Sequence, residues 1–221
     1  MQEVSVIIPN FNGMAYLDGV LAGLECQTVD DFEVILVDNG SSDGSCAFVA
    51  ARYPWVHLIE LPENFGFCKA VNEGIRASRS PYVLLLNNDI EVTDNFIEEM
   101  TDAIKRHPKA FSCAARMIQF HDRDRLDDAG NYYCALGWAY ARGKGKDIHT
   151  YEKEEKIFAS CAGAAIYRKK ILDKIGYFDE EHFAYLEDMD VGYRARIYGY
   201  ENWYVPDAMV YHVGSGTSGS R

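Results

Sequence analysis

Long apolar runs are missing from these 221 residues. No stretch approaches the ~20 consecutive apolar residues that span a bilayer, so no membrane-spanning helix is expected. No charged segment followed by an apolar core opens the chain, so a secretory signal is not expected either. Positive charge is scarce: 22 Lys and Arg stand against 34 Asp and Glu, a formal net charge of −12. That balance argues against broad nucleic-acid binding through phosphate neutralisation. One basic cluster, Arg142-Gly143-Lys144-Gly145-Lys146, reads as a solvated loop or a local anion patch. None of the six cysteines (Cys26, Cys46, Cys68, Cys113, Cys134, Cys161) forms a CxxC pair, so zinc-site spacing is absent. Cys113 and Cys161 sit in apolar runs and read as small buried hydrophobes, and free thiols suit a reducing cytosol. No GxGxxG follows the first strand and GxxxxGK[ST] is absent, which weighs against a nicotinamide-type Rossmann domain and a P-loop NTPase. A Gly-rich, Arg/Lys-containing loop after the first strand, expected for nucleotidyl transfer, is missing too.

What is present is alternation. Val4–Pro9 is a β-branched run and predicts a first strand, followed by a helix with Leu17, Val20, Leu21 and Leu24 on one face. Phe32–Val37 predicts a second strand, with Ser42 or Asp43 capping the next helix through Arg52. Val56–Leu61 predicts a third strand, and Asn64-Phe65-Gly66-Phe67 turns into a helix carrying Lys69, Val71 and Ile75. Tyr82–Leu86, bounded by Pro81, predicts a fourth strand, buried on both faces. Thr93 or Asp94 is expected to cap a helix that ends before Pro108. Such repetition predicts an α/β fold with a mainly parallel sheet, right-handed crossovers and helices on both faces.

The second half is less regular. Ala110–Ile118 reads as a strand, Asp122–Asp128 as a charged loop, Tyr132–Tyr140 as a hairpin and 143–155 as a polar loop. Phe158–Tyr167 reads as a strand of small residues that permits close approach. Helices are expected over 169–175 and 186–198, and late strands at Trp203–Val205 and Ala208–Tyr211. The Gly/Ser-rich end, 214–219, reads as a tail or a phosphate-cradling loop.

Candidate chemistry gathers at strand ends, where ligands bind in open α/β sheets. Asn87-Asn88-Asp89 follows the fourth strand: a metal–diphosphate site, or a polar turn that stops a core strand. Asp38 ends the second strand and either reads a nucleoside or belongs to its Asn-Gly turn. Asn10 and Phe11 end the first, with Phe11 against a base or in the core. Glu187-Asp188-Met189-Asp190 opens a helix after an apolar stretch. The helix dipole accounts for one or two such acids, and an acid leaving apolar surroundings can also serve as a base. His212 follows an apolar strand, as a satisfied core-edge histidine or a neutral metal ligand.

In order, VSVIIPNFNG from Val4, VDNGSSDGS from Val37, NFGF from Asn64, LLNND from Leu85, Phe178-Asp179, EDMD from Glu187 and HVGS from His212 form a set. The set resembles the family 2 glycosyltransferases of GT-A fold, in particular their bacterial rhamnosyltransferase-like branch, over nearly the whole chain. The resemblance implies a single GT-A domain over 1–221, with a nucleotide-binding half (1–107) and an acceptor and catalytic half (108–221), the chain being a truncated or a minimal form. It implies an enzyme that transfers a sugar, with inversion, from a dTDP- or UDP-linked donor to a hydroxyl of a glycan or lipid-linked acceptor in cell-envelope polysaccharide synthesis. Pro9, Asn10, Phe11 and Asp38 would line the base pocket, with Lys69, Asn87 and Asn88 also on the donor. Asp89, in the family's DxD element, and His212 would bind Mg²⁺ or Mn²⁺. Asp188 would be the catalytic base with Glu187 beside it. Asn87, where the element begins with a carboxylate, leaves less negative charge for the metal. QxxRW, the mark of processive synthases, is absent. A cytoplasmic location is implied, at the inner face of the membrane through a C-terminal segment. The competing expectation is a nucleotide-sugar-binding subunit without transfer activity.

Overall fold

A computed structural model of the chain describes residues 2–214. The glycine- and serine-rich segment from Ser215 onward lies outside the described residues. Strand and helix alternate as expected through β1 (Val4–Asn10), α1 (Met14–Glu25), β2 (Phe32–Asp38), α2 (Ser45–Arg52), β3 (His57–Glu60), α3 (Phe67–Ala77) and β4 (Tyr82–Leu86). A short β5 (Ile90–Val92) then precedes α4 (Phe96–Arg106). The second half comprises β6 (Ala110–Gln119), β7 (Leu126–Asp128), β8 (Asn131–Tyr133), β9 (Ala139–Ala141), β10 (Glu155–Ile157), β11 (Ala164–Arg168), α5 (Lys169–Ile175), α6 (Glu187–Ile197) and β12 (Glu201–His212).

One sheet runs through both halves in the order β10-β12-β6-β11-β4-β1-β2-β3. β4, β1, β2 and β3 are mutually parallel, and β12 lies parallel to β6. β11 joins the halves, antiparallel to β4 on one side and β6 on the other. Side chains alternate across the strands. Val6, Ile8, Leu84 and Leu86 face a layer that includes Leu17, Leu21 and Leu24 of α1 and Met100 and Ile104 of α4. Ile7, Ile35, Val37, Val83 and Leu85 face the opposite layer, with Val71 and Ile75 of α3, Leu172 of α5 and Val191 and Ala195 of α6. Both faces of the sheet are therefore covered, which is why its strands read as near-continuous apolar runs.

Four local expectations are corrected. The segment 122–128 contains a strand, β7, with Leu126 and Asp128 both buried; its carboxylates disguise an inward-facing position. Strand β11 begins only at Ala164, because 158–163 is held in turns that bond Asn131 and Asp188 instead. The two late strands are one, β12, with a register shift between Val205 and Met209 around Pro206, a residue that cannot donate to a ladder. Asn95, rather than Thr93 or Asp94, occupies the N-cap position before α4, without a side-chain cap. At α2 the helix starts after left-handed Gly44, and Asp43 accepts the Ser45 N–H at 3.0 Å. The Tyr132–Tyr140 hairpin forms as β8 and β9.

Candidate active site

The carboxyl ends of β2, β1 and β4 are tied into one chain of hydrogen bonds. Asn10 donates through Nδ2 to Asp38 Oδ1 at 2.8 Å, and Asn88 donates through Nδ2 to Asn10 Oδ1 at 2.7 Å. The other Asp38 oxygen accepts the Ser41 N–H at 2.8 Å. All three residues are buried. A carboxylate oxygen has two acceptor sites, so Asp38 keeps capacity for a further donor, such as a base N–H. Gly13 sits under this chain: a Cβ there would lie 2.0 Å from Asn88 Nδ2 and 2.3 Å from Asn10 Oδ1. Beside it, Asn39 donates to Asn64 Oδ1 and to the Gly66 carbonyl and accepts the Phe65 N–H, fixing the Asn64–Phe67 turn. Phe67 N–H in turn bonds the Phe183 carbonyl at 2.8 Å. Pro9 and Phe11 are half-buried at the same rim. Lys69 is placed differently. Its ammonium pairs with Glu73 at 2.9 Å and Glu180 at 3.5 Å.

Asp89 follows at once and is buried. Its Oδ1 lies 3.4 Å from His212 Nε2, and the other ring nitrogen, Nδ1, is 2.7 Å from Asp127 Oδ2. The Asp89 carbonyl accepts the Val213 N–H, which locks the end of β12 against the loop after β4. Burial disfavours charge on His212, but the hydrogen bonds and charges of Asp127 and Asp89 outweigh it and push its pKa up to about 9. Ligands about 2.1 Å from one ion at right angles stand about 3 Å apart, so Asp89 Oδ1 and His212 Nε2 fit a shared divalent cation. Among the described residues no group of three or more His, Cys, Asp or Glu could hold a metal ion. Asp89 and His212 are two donors only, and a hard cation held by so few would take the rest of its shell from other oxygens.

The second acidic centre reaches the same place through residues 161–163. Ala162 N–H bonds Asp188, and the neighbouring Gly163 carbonyl accepts the Asn87 N–H at 2.8 Å. A Cβ on Gly163 would lie 3.2 Å from Asn87 Nδ2, so small residues here are a condition of the approach. Asp188 Oδ2 accepts Asn131 Nδ2 at 2.9 Å, and Oδ1 lies 2.7 Å from Met189 N. Burial pushes the Asp188 carboxyl up, against the pull of these donors. Asp128, buried beside it, is raised to about 7, first by burial and then by the charges of Asp188 and Asp127, although Gly130 N–H bonds it. Glu187 is also raised to about 7, by burial first and then by Asp188, and its Oε2 has no hydrogen-bond partner among the described residues. Two left-handed non-glycine residues, Tyr185 (φ 74°) and Leu186 (φ 67°), aim this corner; such strain persists where surrounding structure imposes it.

Asp127, Asp128 and Asn131 were not legible as functional residues in the sequence. One usable signal was there: a Gly one residue before Asn131 and a Leu three residues before Ala129 give a buried period to part of an otherwise charged run.

Glu187 carries a pH prediction. Its pKa in the folded protein lies above the ordinary 4.5, so the native state holds its proton more tightly than the unfolded chain, and stability falls as pH rises from about 4.5 through about 7. Glu187→Gln abolishes that fall. Relative to the parent, its unfolding free energy is expected to gain about 2 kcal/mol between pH 4.5 and 7.5, read by urea denaturation at a series of pH values. Parallel curves would refute the burial of an ionisable Glu187.

Residues 5–176 match the sequence profile described as Glycosyl transferase family 2. An N-acetylglucosaminyl-diphospho-decaprenol L-rhamnosyltransferase of Mycobacterium tuberculosis is 27% identical over 230 residues, covering 94% of this chain and 75% of that protein. The poly-beta-1,6-N-acetyl-D-glucosamine synthase of Staphylococcus epidermidis is 23% identical, covering 95% of this chain and 49% of that one. Among solved structures, GalNAc-T7 with UDP, GalNAc and Mn²⁺ superposes with a TM-score of 0.78 at 14% identity, and S. aureus TarS 1–349 with 0.69 at 21%. The chain covers 96% and 97% of itself in these superpositions but only 44% and 61% of those chains.

Proposed function

This chain belongs to glycosyl transferase family 2, with similarity to rhamnosyltransferases, and from that premise we propose a metal-dependent, inverting sugar transfer from a nucleoside-diphosphate donor to a hydroxyl acceptor. The observation that carries the reading is the convergence, around Asn87 and Gly163, of a carboxylate–imidazole pair (Asp89, His212) and a buried carboxylate (Asp188) on a sheet rim that ends in Asp38. The named activity of the mycobacterial relative supports L-rhamnose as the sugar and a sugar diphosphate on a polyprenol as the acceptor class. No helix among the described residues is long and apolar enough to cross a membrane, so a lipid-linked acceptor would be met at a membrane face.

Each residue has a task in this mechanism. Asp38, kept in place by Asn10 and Ser41, offers its free acceptor sites to the pyrimidine, with Pro9 and Phe11 against the base. Asn88 carries the rim order across to Asp89. Asp89 and His212 would hold Mg²⁺ or Mn²⁺, which when bound offsets the charge gathering on the leaving diphosphate. Asn87, whose N–H bonds the Gly163 carbonyl, brings a neutral amide against the segment that holds Asp188. Asp188 takes the proton of the acceptor hydroxyl as its oxygen attacks the anomeric carbon from the face opposite the diphosphate, the geometry that inverts configuration. Its raised pKa makes it a stronger base than an exposed aspartate. Asn131 and the Met189 and Ala162 N–H groups fix its orientation. Glu187, whose Oε2 has no hydrogen-bond partner among the described residues, lies close enough to feel the Asp188 charge.

A thermal-shift panel of UDP, dTDP and their sugars with Mg²⁺, Mn²⁺ or EDTA tests this reading. A ligand of the native state raises the melting temperature in step with its affinity. The expected outcome is a shift of several degrees for one nucleotide class with metal and a much smaller one in EDTA. No shift with any nucleotide would overturn the donor assignment, and equal shifts in EDTA would overturn the metal requirement.

A further inference from the structure

We propose that Asp127 is a positioning residue: it fixes the ring and the tautomer of His212 so that Nε2 is presented toward Asp89. The proposal rests on the cation-binding reading of the Asp89–His212 pair. Its geometry is independent of any ion. Strand β7 pairs with the end of β6 through Met117 with Asp128 and Ile118 with Leu126. His212, at the end of β12, pairs with Gln119 of the same β6. Leu126 and Asp128 face inward and are buried, so the residue between them faces the other way. That residue is Asp127, and its Oδ2 meets His212 Nδ1 at 2.7 Å across 85 positions of sequence.

A carboxylate can only accept a hydrogen bond. Nδ1 therefore carries a hydrogen in the charged and the neutral ring alike, so the proton that a cation would displace is the one on Nε2, the nitrogen that lies 3.4 Å from Asp89 Oδ1. A carboxylate behind a ligating imidazole orients the ring and makes it more basic, and losing such a partner costs about 10–100-fold in metal affinity. Asp127 is held in turn: its Oδ1 lies 3.3 Å from the ammonium of Lys144, an exposed side chain. The basic cluster at 142–146 is thereby divided. Lys144 steadies the carboxylate, whereas Arg142 is buried, pairs with Glu155 and bonds the Ala129 carbonyl.

The test is Mn²⁺ titration of the full chain, followed by the paramagnetic signal of free Mn²⁺, with saturating UDP and, in parallel, dTDP. Parent, His212→Ala, Asp127→Ala and Asp127→Asn are compared, with unfolding midpoints of each recorded in EDTA. Asp127→Ala is expected to weaken Mn²⁺ binding about 10–100-fold. Asp127→Asn should weaken it less, because an amide oxygen still accepts the Nδ1 hydrogen while the charge is gone. If the parent and His212→Ala differ but Asp127→Ala binds like the parent, the positioning role is wrong while the metal reading stands. Affinities that merely follow the unfolding midpoints, with no separate order of Ala below Asn, also overturn it. A parent that binds no Mn²⁺ with either nucleotide removes the metal reading and this proposal together.

Discussion

Asp188→Asn is expected to lower the rate of sugar transfer about 10²–10⁴-fold, the range a positioned general base contributes, with donor binding unchanged. The substitution removes the proton acceptor and leaves the volume. It also removes a charge that burial opposes, so the folded protein does not lose stability through desolvation. Some reorganisation follows. Asp188 Oδ2 accepts the Asn131 amide at 2.9 Å, and an Asn at 188 presenting its own NH₂ there would set donor against donor unless the Asn131 amide rotates. Asn131→Ala therefore makes a useful companion: it keeps the base, loosens its orientation and should cost less than Asp188→Asn. The measurement is steady-state transfer, with donor affinity determined separately. Parental turnover in Asp188→Asn would remove Asp188 from the role of base.

Gly13→Ala is expected to cost roughly 2–5 kcal/mol of stability and to weaken nucleotide binding with it. Few methyl additions are placed so badly. The new Cβ would fall 2.0 Å from Asn88 Nδ2 and 2.3 Å from Asn10 Oδ1, the two atoms that bond each other at 2.7 Å. Side-chain ends often yield, but these are buried and committed. Asn10 Nδ2 is also bonded to Asp38, and Asn88 precedes Asp89. Accommodating the methyl means parting the Asn10–Asn88 pair, and each buried polar group left unsatisfied costs about 1–3 kcal/mol. Asp38 then loses the support of its partner, so its nucleoside contact weakens too. Urea denaturation and nucleotide titration read the two effects. A variant with parental stability and affinity would show that the rim does not depend on this chain of amides.

The two substitutions probe regions that differ in how they could be read. Gly13 and its neighbours follow from local order: Asn10 and Asp38 end strands, Asn88 follows one closely, and parallel strands present their carboxyl ends on one edge. Even so, Asn88 reads equally as a turn residue until Asn10 is seen to accept its amide. The surroundings of Asp188 are less legible. Asn131 is 57 positions away, and the Ala162 N–H belongs to a segment that reads as strand but folds as turn. Lys69, which the family resemblance puts near the donor, has its ammonium on Glu73 and Glu180, a pairing that nothing local to the Asn64–Phe67 turn announces.

The ordered motifs carried the family resemblance; composition, the period-two and period-3.6 apolar patterns and the polar strand ends were enough for the α/β class, the parallel first half and the rim that ends in Asp38 and Asp89. Those features depend on contacts between near neighbours or on the regular geometry of a parallel sheet, both written into local periodicity. Asp127 behind His212, Asn131 and Ala162 on Asp188, and Gly163 against Asn87 were decided only when β6, β7, β11 and β12 came together. An inward-facing aspartate carries no apolar signature. It is stable because Gly130 N–H bonds it or His212 pairs with its neighbour, and such partners become adjacent only in the folded sheet.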